Sequence, residues 1–438
     1  MSHYKPYPAY KDSGVEWLGR VPEHWVACRF SRVIAGIKDG THATFERVDD
    51  GQPLLSAKNV SDGVLDISSS ESQISEYDHM NIVSNGYPKR GDLLLTIVGS
   101  IGRACVYPYD YPLSFQRSVC FLRLAPKRSP NFFRYFSQSK FFQEQIQSKS
   151  KSSAQAGIYM GDVSATSIAF PACTEEQQTI VNHLDRETAH IDALIEKKTR
   201  FIELLREKRQ ALITHVVTKG LDSNAKMKDS GVEWLGEVPV HWDVLSFQRC
   251  VRIAEGQVDP KKSPYREMVL LAPNHIESGS GLLLYTETAE EQNAESGKYL
   301  CKKGDVVYSK IRPALRKVCI APELSLCSAD MYPMRGHSGM SNEFLFWFLL
   351  SEPFSAFAVL EADRVAMPKI NRESLNSVQL PKPPLNEQME IVVWVQQVTV
   401  RIDNLRAKTE RSIELLKERR FALITAAVTG EIDLRDAV

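Results

Sequence analysis

The chain has no net charge, no paired cysteines and no long apolar run, and each absence removes a class of protein. Its 54 lysines and arginines balance 54 aspartates and glutamates over 438 residues, so the overall charge does not favour indiscriminate binding to polyanions. The longest apolar stretches, such as Phe344 to Leu350, fall far short of the ~20 residues a membrane-spanning helix needs. The opening residues, Met1-Ser2-His3-Tyr4-Lys5-Pro6-Tyr7-Pro8, hold no apolar core of signal-peptide length, so a cytoplasmic protein without membrane contact is expected. The eight cysteines are scattered, with no Cys-x-x-Cys pair and no histidine at zinc-finger spacing. Reduced thiols and no metal site are the expectation.

Motifs that carry chemistry are missing too. There is no phosphate-binding Gly-x-x-x-x-Gly-Lys-Ser/Thr loop, no Gly-x-Gly-x-x-Gly, no His-Glu-x-x-His, no Gly-x-Ser-x-Gly and no Asn-Pro-Pro-Tyr/Phe tetrapeptide. Glu196-Lys197-Lys198 has the look of the end of a nuclease motif, but it falls in a heptad helix, where a solvated charge run explains it. No catalytic residue is expected.

What is present is a repeat. Lys11-Asp12-Ser13-Gly14-Val15-Glu16-Trp17-Leu18-Gly19 returns unchanged from Lys228 to Gly236, 217 residues later, and both copies run on to a Pro-x-His-Trp ending at Trp25 and Trp242. A second echo pairs Glu203-Leu204-Leu205-Arg206-Glu207-Lys208-Arg209 with Glu414-Leu415-Leu416-Lys417-Glu418-Arg419-Arg420 at a spacing of 211. Between these landmarks lie regions of short apolar runs and frequent turn residues. Residues 25–170 hold 16 basic against 13 acidic residues, and residues 240–382 hold 17 of each. Leu93–Val98 and Val306–Ser309 read as strands launched from Gly91-Asp92 and Gly304-Asp305. Asn131 to Gln147 and Asn342 to Leu360 each read as a helix.

After each globule the period changes to seven. Val181, Leu184, Thr188, Ile191, Ile195, Ile202, Leu205, Leu212 and Val216 form one stripe, and Val392, Val395, Thr399, Ile402, Ile413, Leu416, Leu423 and Ala427 form its copy. Thr174 with Gln177 has capping-box spacing, and Asn386 is a cap candidate for the second helix. A helix over residues 174–217 would be ~65 Å long, too long for one globule of ~15 Å radius of gyration to cover. The second globule joins the end of one helix to the start of the other, so paired helices must run antiparallel. By the same symmetry, residues 11–25 should pack against residues 420–436.

This layout resembles the specificity (S) subunit of type I restriction-modification systems. The likeness rests on the duplicated Asp-Ser-Gly…Trp-Leu-Gly…Pro…Trp stub, Asp39-Gly40-Thr41-His42, Ser56-Ala57-Lys58-Asn59-Val60, Gly91-Asp92-Leu93-Leu94…Gly99-Ser100-Ile101-Gly102-Arg103, Pro384-Leu385-Asn386-Glu387-Gln388 and the paired terminal helices. Departures are Glu255-Gly256-Gln257 in the second globule, Lys310-Ile311-Arg312-Pro313 opposite Ile97-Val98-Gly99-Ser100, and Ala172-Cys173 before the first helix. The resemblance implies an α+β chain with two pseudo-twofold-related mixed α/β target-recognition domains separated by two long antiparallel coiled-coil helices. Its parts would be a stub near the C-terminus (1–25), recognition domain 1 (26–170), helical spacer 1 (171–222), a linker with the repeated stub (223–242), recognition domain 2 (243–382) and helical spacer 2 (383–438).

Such a subunit performs no chemistry. The resemblance implies that each globule reads one half of a bipartite site in double-stranded DNA, with the helices setting a spacing near one turn, ~34 Å. It also implies partnership with two methyltransferase (M) and two motor-nuclease (R) subunits. S-adenosylmethionine, ATP and Mg are then expected on those partners and no cofactor on this chain. Candidate DNA contacts are Thr41, His42, Lys58, Asn59, Gly99, Ser100, Arg103, Gln116 and Arg117 in the first globule. In the second they are Asn274, His275, Lys310, Arg312, Arg316 and Lys317. Asn and Gln suit adenine and Arg suits guanine; Gly99 and Gly102 fit close backbone approach and turn geometry equally, and His42 and His275 equally fit structural histidines. Trp17, Trp25, Trp234 and Trp242 are expected to anchor the stubs. Leu205, Arg209, Leu212, Leu416, Arg420 and Leu423 are the candidate subunit interface. A different class stays open: a non-enzymatic scaffold whose two globules bind proteins or glycans.

Overall fold

The computed structural model describes residues 4–16, 18–150, 156–362 and 368–436; Trp17 lies outside them. The chain divides into two units, one formed by residues 1–198 with 411–438 and the other by residues 199–410. Each long helix is therefore shared: the Thr174–Lys219 helix and the Leu385–Thr429 helix each cross from one unit to the other. The seven-residue periodicity continues through both crossing points.

In the first unit, Ala104–Val106, Leu93–Thr96, Val119–Leu124 and Ile34–Asp39 form a four-stranded antiparallel sheet in that order. A smaller sheet runs Ser114–Phe115, Gln52–Leu55, Gln73–Ile74, its first pair parallel. Leu93 and Leu95 point into a core with Phe132, Phe133, Phe136 and Phe142, while Leu94 belongs to a second cluster with Cys105 and Phe115. Alternating sides of one strand thus serve two cores, which is why the run reads as continuously apolar.

The second unit repeats the plan. Its sheet runs Val251–Ile253, Met331–Gly336, Val306–Ser309, Val318–Ile320, beside a smaller sheet of Leu270–Leu271, Ser325–Cys327 and Tyr299–Cys301. The turn before the central strand is built alike in both. Asp92 accepts from Lys89 N at 2.8 Å and from Arg123 Nε at 3.0 Å; Asp305 accepts from Lys302 N and from Arg335 Nε, each at 2.7 Å.

The expected single helix in each globule is two helices. Pro130–Gln138 and Lys140–Lys149 meet at Ser139, whose hydroxyl donates to Phe136 O and accepts from Phe142 N, closing one helix and capping the next. Asn342–Leu349 and Glu352–Ala362 break the same way at Ser351, whose hydroxyl donates to Phe348 O, and they diverge by 64°. Among the described residues no single helix is long and apolar enough to cross a membrane.

The expected capping of the long helices also differs. Thr174 and Leu385 are already helical, and Asn386 lies within the first turn. Gln177 does not return to its own helix end; its amide accepts from Ser129 N at 2.9 Å and donates to Pro171 O at 2.8 Å. Gln388 accepts from Ser341 N at 2.9 Å and donates to Gly339 O and Pro383 O at 2.7 and 2.8 Å. These two buried glutamines, 211 residues apart, tie each globule's helix pair to its long helix.

In the first unit, Asp192 and Arg420 form an ion pair at 3.0 Å, and further along Gly430 sits against Pro22 and Trp25. Since Trp25 holds Glu176, sixteen residues before Asp192, the two helix segments run antiparallel. In the second unit, Arg209 meets Asp403 at 3.4 Å while Gly220 lies beside Glu387, again antiparallel. The first stub lies against the chain's far end: Tyr10 donates to Gly430 O at 3.1 Å, and Lys5 bridges Asp433. Ile432 and Leu434 share a core with Val21 and Trp25.

Candidate nucleic-acid interface

A hairpin and a loop that recur in each globule, together with a meeting of strand ends in the first, hold the sequence-derived DNA candidates. The hairpin follows a short 3-10 turn, Ala57–Asn59 in one unit and Pro273–His275 in the other. Asp66 N donates to Asn59 O at 2.8 Å, and Leu284 N donates to His275 O at 2.7 Å, so Lys58-Asn59 and Asn274-His275 occupy equivalent positions. Asn59 and His275 must be withdrawn as surface contacts. Asn59 is buried, accepting from Ser56 N at 2.9 Å and donating to Asp66 O at 3.0 Å to shape its own turn. His275 is wholly buried beneath the Tyr285 ring, 4.6 Å away, and burial holds its pKa below the usual histidine range. Lys58 and Asn274 remain exposed, Lys58 paired with Glu71 at 2.7 Å and Asn274 donating to Tyr285 Oη at 3.0 Å.

The second recurring element joins the central strand to its neighbour. In the first unit it runs from Thr96 to Arg103, closed by Thr96 N donating to Arg103 O at 2.9 Å; in the second, from Ser309 to Lys317, closed by Ser309 N donating to Lys317 O at 2.9 Å. Gly99 N donates to Ala156 O at 3.0 Å, and Arg312 N donates to Pro368 O at 3.1 Å. Gly99 and Arg312 are therefore counterparts, as are Gly102 and Arg316, and all four have positive φ. The sequence departure at this loop is one fold carrying different side chains. Gly99, Ser100, Arg103 and Arg312 are exposed. Arg316 and Lys317 are partly withdrawn: Arg316 Nε donates to Ser355 Oγ at 2.8 Å and its guanidinium pairs with Glu352, while Lys317 donates to Pro273 O at 2.6 Å. Lys310 rests 5.2 Å over the Tyr332 ring.

Thr41, His42, Gln116 and Arg117 come together although distant in sequence. Thr41 N donates to Phe115 O at 2.7 Å, and Arg117 N donates to Thr41 O at 2.9 Å. His42 Nε2 sits 2.7 Å from Asp39 Oδ2 at the rim of a cleft of about 270 Å³, lined also by Lys38, Asn85 and Tyr87. This meeting point rests on pairing between strand ends, which local sequence does not show.

Another cleft, not found from sequence, lies in the first unit between its globule and its helix pair. It measures about 670 Å³ and is lined by Asp62, Arg103, Gln143, Asp192, Lys417 and Arg420 among others. Burial raises the Asp62 carboxyl pKa, against the opposing pull of Arg420 and Arg103. The second unit has the counterpart, about 340 Å³, where Arg209 donates to Gly279 O and Ser280 O at 3.2 and 3.0 Å and Arg406 pairs with Glu277 at 3.4 Å. The 211-residue offset relating Arg209 to Arg420 was the available signal; their acidic partners, Asp403 and Asp192, stand on the opposite long helix.

The interface candidates are corrected in the same way. Leu205, Arg209 and Leu423 are buried and Leu212, Leu416 and Arg420 half-buried, since the heptad stripe faces inward. The apolar residues left outward are their neighbours, including Leu204 at 46% and Leu415 at 50% exposed. Among the described residues no His/Cys/Asp/Glu group could hold a metal.

The fold and these paired surfaces define a duplicated binding protein: two like frames, each presenting a globule with its own loop chemistry. The family model for the type I restriction modification DNA specificity domain matches twice, over residues 49–204 and 253–415. The chain belongs to that family. It is 30% identical over 290 residues to the EcoDI specificity subunit of Escherichia coli, a match spanning 63% of this chain and 64% of that protein. Similarity to the putative MjaX specificity subunit of Methanocaldococcus jannaschii is lower, 22%, but spans 95% of this chain and 96% of the relative. Among solved structures, a chain of a type I R-M system superposes with a TM-score of 0.70 at 15% identity, covering 94% of this chain and 99% of that one. The HsdS subunit of Thermoanaerobacter tengcongensis superposes at 0.53 and 16% identity, covering 94% and 98%. These structural likenesses establish the shared fold.

Proposed function

We propose that this protein is the DNA-recognition subunit of a type I restriction-modification complex, reading a bipartite double-stranded target with one half-site per globule. The observation that supports this best is the double match of the specificity family to two globules whose frames repeat while their loops differ, as at Gly99 and Arg312. Like frames suit two like partners, and unlike loops suit two different half-sites. The chain contributes no catalytic group; methyl transfer, with S-adenosylmethionine, belongs to M subunits, and ATP and Mg to R subunits. The exposed flanks around Leu204 and Leu415 are the M-docking surface under this reading.

Methylome sequencing of a host with and without the gene tests it. Loss of one bipartite methylated motif on deletion is expected; an unchanged methylome overturns the reading. A scaffold for proteins or glycans would leave the methylome untouched.

A further inference from the structure

Two non-glycine residues of the second unit's loop sit in the left-handed region where the first unit has glycines: Arg312 at φ 47° and ψ 59°, and Arg316 at φ 47° and ψ 48°. Glycine adopts this conformation freely and an L side chain is strained in it. Arg312 is further constrained by preceding Pro313, which disfavours the helical regions for the residue before it. Such strain persists where something gained from the side chain offsets it.

For Arg316 the gain is internal, since its guanidinium is held by Ser355 and Glu352. Arg312 has no such return: it is exposed, and among the described residues no hydrogen bond, ion pair or ring contact of its side chain is found. Its backbone is nonetheless pinned. The N–H is bonded to Pro368 O, the carbonyl accepts from Leu315 N at 2.9 Å, and Pro313 behind it is buried. At the counterpart Gly99 the space a Cβ would occupy is empty within 4 Å. A phosphate contact needs only charge and tolerates a flexible base; reading a base edge needs a side chain launched from a fixed point.

We infer that Arg312 reads a guanine, through its O6 and N7, in the half-site of the second globule, and that the first globule has no such reader at Gly99. This rests on the function proposed above. Arginine's planar fork matches those two acceptors, and its rigid mounting restricts it to one position in the groove.

The test crosses protein and DNA changes. Duplexes carrying the motif found by methylome sequencing, and versions with each guanine replaced singly, are titrated with the full-length chain in its M complex, as wild type and as Arg312→Gly. Wild type should lose roughly tenfold in affinity at one guanine of one half-site, and Arg312→Gly should bind that pair of duplexes equally while discriminating as before at every other guanine. Retained discrimination at all guanines overturns the inference. A uniform loss across duplexes, with a shallower salt dependence, also overturns it, because that marks a phosphate contact. Thermal unfolding of Arg312→Gly should show an unchanged or higher midpoint, as glycine relieves the strain; a lower midpoint would assign Arg312 a structural role instead. If wild type yields no motif, the proposed function itself fails.

Discussion

The Trp25 indole donates to the Glu176 carboxylate at 3.0 Å, and in the repeat the Trp242 indole donates to Glu387 at the same distance. His24 and His241 contact the same carboxylates at 2.8 and 2.9 Å. The repeated stub is thus a clasp for the first turn of each long helix, where a carboxylate also faces the positive end of the helix dipole.

In the first unit the clasp includes buried Tyr7, whose hydroxyl donates to Glu176 at 2.9 Å. Glu176→Ala leaves the Tyr7 and Trp25 donors buried without an acceptor. A loss of about 2–4 kcal/mol is expected by chemical denaturation, with Glu176→Gln recovering part of it. Equal stability of Glu176→Ala and wild type would remove the clasp from the account.

Gly430 offers a steric test of the same junction. It has φ +78°, and an added Cβ would lie 2.4 Å from Pro22 Cδ. Gly430→Ala should cost about 2–3 kcal/mol. Gly14→Ala, at φ +71° with nothing within 4 Å, should cost only about 1 kcal/mol of backbone strain. Thermal melts of the two variants side by side give the comparison.

His275 makes the second unit sensitive to acid. Burial lowers its pKa in the folded state, with Glu287 opposing in part, so below the ordinary value of 6.5 the unfolded chain takes up a proton that the folded chain refuses. Stability therefore falls as pH drops through about 6.5 and keeps falling until the folded-state pKa is reached. His275→Asn, which installs the residue found at its counterpart Asn59, should flatten this dependence in urea melts between pH 7 and 5; an unaltered slope would assign it elsewhere.

Leu205→Asp would place a charge in the buried stripe and unfold the helix pair, so it cannot report on assembly. Leu204→Asp with Leu415→Asp changes exposed positions instead. The thermal midpoint should move little, while co-purification with M subunits should drop at least tenfold. Undiminished capture at matched expression would place the M surface off these flanks.

The Arg209 latch joins helix to hairpin in the second unit. Arg209→Ala abandons Gly279 O, Ser280 O and Asp403 together, and about 2–4 kcal/mol is expected. Hydrogen exchange should accelerate in the 276–283 hairpin; unchanged protection there would mean that the hairpin holds without it.

Much of the frame was legible because it is written in local periodicity and repetition. The seven-residue stripes mark the buried face of both helices, the two Gly-Asp turns mark the central strands, and an identical stub at two places marks equivalent junctions. Helix breaks at Ser139 and Ser351 were missed because an apolar period runs straight through them. The capping error has the same origin: Gln177 and Gln388 find better partners in a globule than at their own helix ends.

Sequence alone determined that there are two like frames, where their long helices run, and that catalytic motifs are missing, since repeats and periods are properties of neighbours along a chain. Only the tertiary structure decided which candidate residues reach the surface. Burial and strand pairing depend on residues brought together from distant positions. They withdrew Asn59, His275, Leu205 and Leu423, joined Thr41 to Gln116, and left Arg312 exposed on a backbone conformation that its counterpart meets with glycine.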